Sequence, residues 1–182
     1  MPNWCWNTVQ FTGKQNNLEN LNKLLHKTVE MQEKTGMGQI LHGIEGAIDG
    51  YMFDISDVDL GDEYLSLSFQ SRWAPIPNDI VRIAELFNLN FTYSYDESGM
   101  AMYGKYTFTY DVNDEESVLY EQAASEEDIE SCRYKENEDD EDDYSGFDYE
   151  KLEELIDESS MCEVPITRFD HDYFTQVERK SK

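Results

Sequence analysis

The side chains with the greatest capacity for chemistry in this sequence are carboxylates. Its 182 residues include 40 Asp and Glu but only 14 Lys and Arg, so the formal net charge is −26. Residues 111–158 hold 22 acids and 3 bases, a net charge of −19, whereas residues 1–110 hold 14 acids and 7 bases, a net charge of −7. Residues 136–143 alone have seven acids in eight positions. The charge therefore belongs mainly to one segment, and the first question is what that segment does.

Carboxylates serve as paired acid and base catalysts or as ligands for hard metal ions. Because they are so abundant here, a pair of them carries little information. The segment from Asp57 to Asp62 begins like a calcium-binding loop, but Gly61 comes one position too early. The three histidines and three cysteines are scattered, and no zinc, nucleotide or phosphate motif is present. We therefore expect no catalytic residues, no metal site and no cofactor, and we interpret the protein as non-enzymatic.

The charge balance also restricts the partners. Direct binding to nucleic acid or to an anionic membrane requires Lys and Arg, which this chain lacks. No apolar run is long enough to span a membrane, and no signal peptide is visible at the N-terminus. Three widely spaced cysteines do not predict a disulfide framework. These observations favour a cytoplasmic protein, and they leave its oligomeric state open.

Apolar and polar periodicity in residues 1–112 predicts an α+β domain. The predicted elements are strands at 5–11, 51–55, 64–72, 89–95 and 100–110, with helices at 16–34 and 78–87. Their order is βαββαβ followed by an extra hairpin strand. This is the ferredoxin-like plan, an antiparallel sheet with helices on one face. The other face of the predicted sheet is rich in Ser, Thr and Gln.

Residues 113–182 form the predicted acidic C-terminal extension. In it we expect helices near 114–132 and 147–158, an acidic loop at 136–146 and a short strand at 164–169. The second helix is amphipathic, because Tyr149, Leu152 and Ile156 lie on one side of it. Its apolar side would dock it on the domain.

Several motifs of the domain resemble a known family. They are the opening Met1-Pro2-Asn3-Trp4-Cys5-x-Asn7, the segment Ser71-Arg72-Trp73-Ala74-Pro75, and Tyr95-Asp96-Glu97-Ser98-Gly99 followed by Tyr103-Gly104-Lys105-Tyr106. Together they are similar to the YubB-like proteins of phages and plasmids, over about residues 1–110. The resemblance implies a ferredoxin-like domain and a mobile-element origin in a bacterial host. It implies no activity.

The same motifs give one candidate site. A pocket at one end of the sheet, for a small ligand or a peptide, would be lined by Asn3, Trp4, Asn7, Arg72, Trp73 and Glu97. The alternative is that the tryptophans only pack and that Arg72 forms a structural ion pair with Glu97 or Asp96.

The acidic extension gives the other candidate site. Carboxylates three or four residues apart on a helix lie about 5–6 Å from one another, which approaches the charge density of a phosphate backbone. We expect a partner-binding acidic surface of Glu138, Asp139, Asp140, Glu141, Asp142, Asp143, Glu150, Glu153, Glu154, Asp157 and Glu158. The hypothesis is that this surface mimics DNA and occupies the basic groove of a bacterial defence or transcription protein. The alternative is a solvated tail that only keeps the protein soluble.

Overall fold

Strand β1 (Trp4–Thr12) is central to the fold, and its alternating sequence shows why. Cys5, Asn7, Val9 and Phe11 are buried, whereas the residues between them are exposed. A strand with one apolar and one polar face must lie in a sheet that has one covered side. The alternation therefore defines two faces of the sheet, which we call the covered face and the open face.

The computed structural model describes residues 3–36, 52–111, 116–133 and 147–166. The further elements in chain order are α1 (Gln15–Thr35), β2 (Phe53–Leu60), β3 (Tyr64–Arg72), α2 (Pro77–Phe87), β4 (Asn90–Glu97), β5 (Met102–Asp111), β6 (Glu116–Ala123), α3 (Glu126–Ser131), α4 (Tyr149–Glu158) and β7 (Cys162–Val164).

One seven-stranded sheet has the order β2-β3-β1-β4-β5-β6-β7, and every neighbouring pair is antiparallel. Its first four strands and the helices α1 and α2 form the predicted βαββαβ unit, and β5 is the extra hairpin strand. The ferredoxin-like prediction is therefore confirmed. Because β6 and β7 continue the same sheet, the predicted boundary after residue 112 lies within the sheet.

The main core lies between the covered face and the helices α1 and α2. Leu18, Leu21 and Leu25 supply one helical stripe, and Ile80 and Ile83 belong to the other. The strands supply mainly aromatic rings to this core. Their contacts include a stacked pair, Phe91 and Phe108, with ring centroids 5.1 Å apart.

Strand β6 corrects one prediction. Residues 114–124 were expected to begin a helix, because Val118, Leu119 and Ala123 fit a helical stripe. Instead, Leu119 is buried opposite Phe108 of β5, and the neighbouring side chains alternate between the two faces. The unpaired edge of β5 offers backbone hydrogen bonds that local helical propensity does not outweigh.

Strand β2 is longer than predicted, because residues 57–60 belong to it rather than to the following turn. Its register against β3 shifts twice, between Phe53 and Ser56 and between Ser56 and Asp59. Asp54 and Asp57 have positive φ angles of 48° and 51°. Such irregularities break the alternation that would reveal a strand in the sequence. Strand β7 begins earlier than the predicted 164–169, and residues 167–169 lie outside the described residues, as does the predicted loop 136–146.

Gly104 of β5 allows two neighbouring strands to approach it closely. A Cβ atom at this position would lie 2.5 Å from the Tyr95 hydroxyl and 2.6 Å from the backbone oxygen of Gln122. Because the second of these atoms belongs to the main chain, it cannot rotate away. We predict that Gly104→Ala lowers the free energy of unfolding by about 1–3 kcal/mol, as overpacking does.

Urea denaturation measures this loss. The matched control is Thr109→Ala, an exposed position on the same strand, for which we expect a change below about 1 kcal/mol. Equal losses in the two variants would contradict the steric account of Gly104.

Candidate partner-binding surface

Helix α4 docks on the open face of the sheet, opposite α1 and α2. Tyr103 points to this face, because its neighbour Gly104 and the alternating Tyr106 belong to the covered face. It forms a second, smaller core with α3 and α4, whose buried members are Tyr103, Ile129, Cys132, Leu152 and Ile156. Of the predicted apolar side of this helix, Leu152 and Ile156 therefore pack on the domain, whereas Tyr149 is exposed.

A glutamine of β6 fixes the C-terminal end of α4. Gln122 is buried, and its side-chain Nε2 donates to the backbone oxygens of Ile156, Asp157 and Ser159 at 3.2, 3.1 and 3.0 Å. The last carbonyls of a helix have no partner within its regular hydrogen-bond pattern. The Gln122 amide supplies a donor for those of Asp157 and Ser159, whereas the Ile156 carbonyl also accepts from Ser159. Lys105 of β5 adds an ion pair with Asp157.

The N-terminal end of α4 is also tied down. The Asp148 side chain accepts a hydrogen bond from the Lys151 backbone N–H at 3.0 Å, which caps the helix. The Asp148 N–H donates to the Cys132 carbonyl at 2.8 Å. The Lys151 ammonium donates to the Ser131 carbonyl at 2.7 Å. Both ends of the helix are therefore attached to the rest of the fold.

Docking leaves a row of carboxylates on the outer side of α4. The exposed acids are the five predicted there, Glu150, Glu153, Glu154, Asp157 and Glu158. Helix α3 adds Glu126, Glu127 and Glu130, which are also exposed. We call these eight residues the acidic surface. Among them Asp157 pairs with Lys105, and Glu130 lies 3.4 Å from Arg133. The predicted acids Glu138, Asp139, Asp140, Glu141, Asp142 and Asp143 lie outside the described residues.

The predicted pocket residues divide between the two faces of the sheet. Asn7 is buried on the covered face, where its amide donates to the Cys5 carbonyl at 2.8 Å and to Ser71 Oγ at 3.0 Å. The Tyr93 hydroxyl donates to its Oδ1 at 2.6 Å. All polar atoms of Asn7 are therefore used inside the protein, and none faces a ligand.

Glu97 is buried as well, and it closes the turn between β4 and β5. Its carboxylate accepts a hydrogen bond from the Met100 N–H at 2.5 Å. Asn3 lies at the same turn, because a Cβ on Gly99 would be 2.6 Å from its Nδ2 and 3.0 Å from Glu97 Oε1. The two side chains share a turn, and neither joins Asn7.

Trp4 and Arg72 meet on the open face, in register on β1 and β3. The Arg72 guanidinium lies over the rings of Trp4 and Phe53, 5.9 and 4.8 Å from their centroids. It does not form the suggested ion pair with Glu97 or Asp96. Trp73 follows with a positive φ of 69°, and its N–H donates to the Asn3 carbonyl at 3.0 Å.

Asp96 lies on the open face between Trp6 of β1 and Tyr103 of β5, its register partners. Its Oδ1 is shielded from solvent and has no hydrogen-bond donor among the described residues. Burial, and to a smaller extent the charge of Glu97, raises the pKa of this carboxyl above its ordinary value. Burial also raises the pKa of the nearby Cys5 thiol to about 11, so this thiol stays protonated and unreactive at neutral pH.

Within the described ranges, no three His, Cys, Asp or Glu side chains are arranged to hold a metal ion. No helix in the same part of the chain is long and apolar enough to cross a membrane.

A family model described as "ferredoxin-like domain in Api92-like protein" matches residues 50–148, more than half of the chain. The chain belongs to this family. The match ends well beyond residue 110, where the sequence resemblance was expected to stop. Strand β6 and helix α3 are therefore parts of the Api92-like domain rather than additions peculiar to this chain. No curated protein and no solved structure matched the sequence.

The Api92-like match begins before β2 and so omits β1, the strand that lies between β3 and β4.

The sequence did not reveal the roles of two further residues, Gln122 and Asp96. The sequence predicted a helix at Gln122, whereas its hydrogen bonds to the end of α4 depend on its position in strand β6. Asp96 was considered only as an ion-pair partner, and nothing local in the sequence indicates that one of its oxygens is buried.

The docking of α4 gives a prediction for this Api92-like protein. We expect Leu152→Ala to weaken the second core by about 2 kcal/mol or more, because truncation leaves a cavity beside Tyr103. Amide hydrogen exchange in α4 should then accelerate at least about 30-fold, while exchange in β1 and β4 stays unchanged. Glu154→Ala, an exposed position on the same helix, is the control. Equal acceleration in β1 would mean that α4 and the sheet unfold as one unit.

Asp96 gives a pH-dependent prediction. The pKa of Asp96 is raised above its ordinary value of 3.8, so the folded protein holds this proton more tightly than the unfolded chain does. Asp96 therefore reduces the stability of the fold as the pH rises above 3.8. We expect Asp96→Asn to gain stability relative to the wild type as pH rises from 3 toward 7. Urea denaturation across this range, with the exposed Asp62→Asn as control, measures the difference. A constant offset at every pH would contradict a raised pKa.

Proposed function

We propose that this protein is a non-enzymatic binding protein of a phage or plasmid, acting in the cytoplasm of a bacterial host. In this proposal its acidic surface mimics nucleic acid and occupies the basic groove of a DNA- or RNA-handling protein that serves defence or transcription. The observation that carries the proposal is the exposed row of carboxylates on a helix that is fastened to the sheet at both ends.

Rigid presentation supports mimicry over solubilisation. A solubilising tail needs charge alone, whereas α4 also buries Leu152 and Ile156 and engages the Gln122 amide. Ordering a helix costs conformational entropy. When folding already orders it, less entropy is lost on binding, and the affinity for a partner is higher. The helix backbone that carries the carboxylates is therefore pre-organised for binding.

The spacing of the acids supports the same proposal. Glu150 lies three and four residues from Glu153 and Glu154, and Asp157 lies four residues from Glu153. The Cβ atoms of such pairs are about 5–6 Å apart. This row of acids on one side of a short helix approaches the charge density of a nucleic-acid strand, which carries one charge per about 3.4 Å of axis. Occupation of a basic groove by such a row would exclude the nucleic acid directly. Association would be fast and sensitive to salt, because long-range attraction drives the encounter.

The alternative, a small-ligand or peptide module at the Trp4, Trp73 and Glu97 end of the sheet, receives weaker support. The exposure of Trp73 favours it. Asn7, however, uses its polar atoms in internal hydrogen bonds, and Glu97 is buried with its carboxylate accepting from the Met100 N–H. A pocket that has lost these two groups retains little with which to orient a ligand.

The test is capture of proteins from a bacterial host lysate at low and high salt. We expect the wild-type protein to retain basic, nucleic-acid-binding proteins at low salt and to release them at high salt. In the array variant, Glu150→Gln, Glu153→Gln, Glu154→Gln and Glu158→Gln are combined, and we expect recovery to fall at least about tenfold. Asp157 is left intact because it holds Lys105.

The matched control removes the same number of charges elsewhere. It combines Glu30→Gln, Glu33→Gln, Asp62→Asn and Glu63→Gln, all exposed and all outside the acidic surface. We expect this control to retain most of the binding. Equal losses in both variants would show that net charge alone attracts the partners, and the mimicry proposal would then fail. So would recovery of no basic, nucleic-acid-binding protein.

A further inference from the structure

Two tryptophans of β1 are exposed on the open face, the face on which α4 docks. The exposed fraction is 59% for Trp6 and 36% for Trp4. Exposed tryptophan is costly to keep in water, and it is the residue type most enriched at the energetic centres of protein interfaces. Trp6 therefore presents more than half of its surface to a partner.

Trp6 and Asp96 are direct neighbours across the β1–β4 pair. Register partners on one face have Cβ atoms about 4.5–5.5 Å apart, so the indole and the carboxylate are within reach of one ligand group. The Asp96 carboxylate is half-buried, and its Oδ1 has no donor in the described parts of the chain. A carboxylate that is poorly solvated on one side gains more from an incoming cation than a fully hydrated one does.

The same face already accommodates one cation. Arg72 places its guanidinium over the Trp4 and Phe53 rings. It lies on β3, two residues from Gln70, which is the β3 register partner of Trp6. Attraction between a cation and an aromatic face is strongest for tryptophan. The open face of this sheet is thus able to bind a guanidinium, and Trp6 remains available for a second one.

We infer that Trp6 and Asp96 form a subsite for an arginine side chain of the basic partner. The guanidinium would stack on the indole while its N–H groups donate to the carboxylate. Arginine fits better than lysine, because its planar guanidinium can stack on the indole and still direct an N–H toward the carboxylate. This inference rests on the proposed function and adds to it the place where one partner residue is held.

The subsite lies on the same face of the sheet as the second core, on which α4 docks. Tyr103 follows Asp96 on the next strand and belongs to the second core under α4. Adjacent strands are about 4.8 Å apart, so Trp6 lies only two strand spacings from the position of Tyr103. One basic segment of a partner can therefore meet the carboxylates of α4 and place an arginine between Trp6 and Asp96.

The experiment uses the full chain with labelled nona-arginine and nona-lysine peptides, and fluorescence anisotropy reports binding. We expect the wild type to bind the arginine peptide more tightly. Trp6→Leu and Asp96→Asn should each weaken arginine binding by roughly 3- to 30-fold and abolish the preference over lysine. Thr92→Leu, an exposed position on the same face, is the matched control and should keep both affinities. Thermal unfolding of each variant checks that it folds.

The outcomes separate the subsite from the proposed function. The array variant described above should lose affinity for both peptides equally, because it removes charge without touching the subsite. If Trp6→Leu binds as the wild type does, or if the wild type does not prefer arginine, the subsite is wrong while the acidic surface keeps its role. If the array variant binds as the wild type does while Trp6→Leu fails, the subsite stands and mimicry by α4 is wrong.

Discussion

The rest of this fold depends on one buried side-chain amide, that of Asn7, which connects β1 to β3 and β4. Asn7 of β1 bonds to Ser71 at the end of β3 and accepts from Tyr93 of β4. The Tyr93 hydroxyl accepts from the Ile76 N–H just before α2, and Ser71 donates to the Ala74 carbonyl. Inside a low-dielectric core such a network is strong only when every member is satisfied. Here it fixes three strands, the start of α2 and the connection that carries Trp73.

The two faces of the sheet differ in composition and in the helices that pack on them. The covered face holds the aromatic core under α1 and α2, and its buried Asn7, Ser71 and Tyr93 are hydrogen-bonded to one another. The open face is largely polar, and within the described ranges α4 covers it on the β5–β6 side. This arrangement turns a helix of low intrinsic stability into a rigid support for charge, because packing rather than propensity stabilises short helices. The exposed tryptophans border that support.

The sequence predicted the elements whose pattern is local and regular. The alternation in β1 and β3 and the apolar stripes of α1, α2 and α4 all follow from one buried face each. Prediction failed where a distant partner decides: residues 116–123 are a strand because β5 offers an edge. The acids of α4 were found because exposure and spacing are sequence properties. The Trp6–Asp96 pairing was not, because it depends on the β1–β4 register.

The position of β1 also has a consequence for the order of folding. Both strands that bond to β1 come later in the chain, and its side chains reach partners 60 and 86 residues away. Contacts between distant residues form slowly, because a long loop must close before they bring any gain. During synthesis β1, with its tryptophans and Phe11, therefore stays unpaired until β3 has emerged, and its second edge stays free until β4 follows. Its exposed face is polar at Thr8 and Gln10, which limits association between chains during that interval.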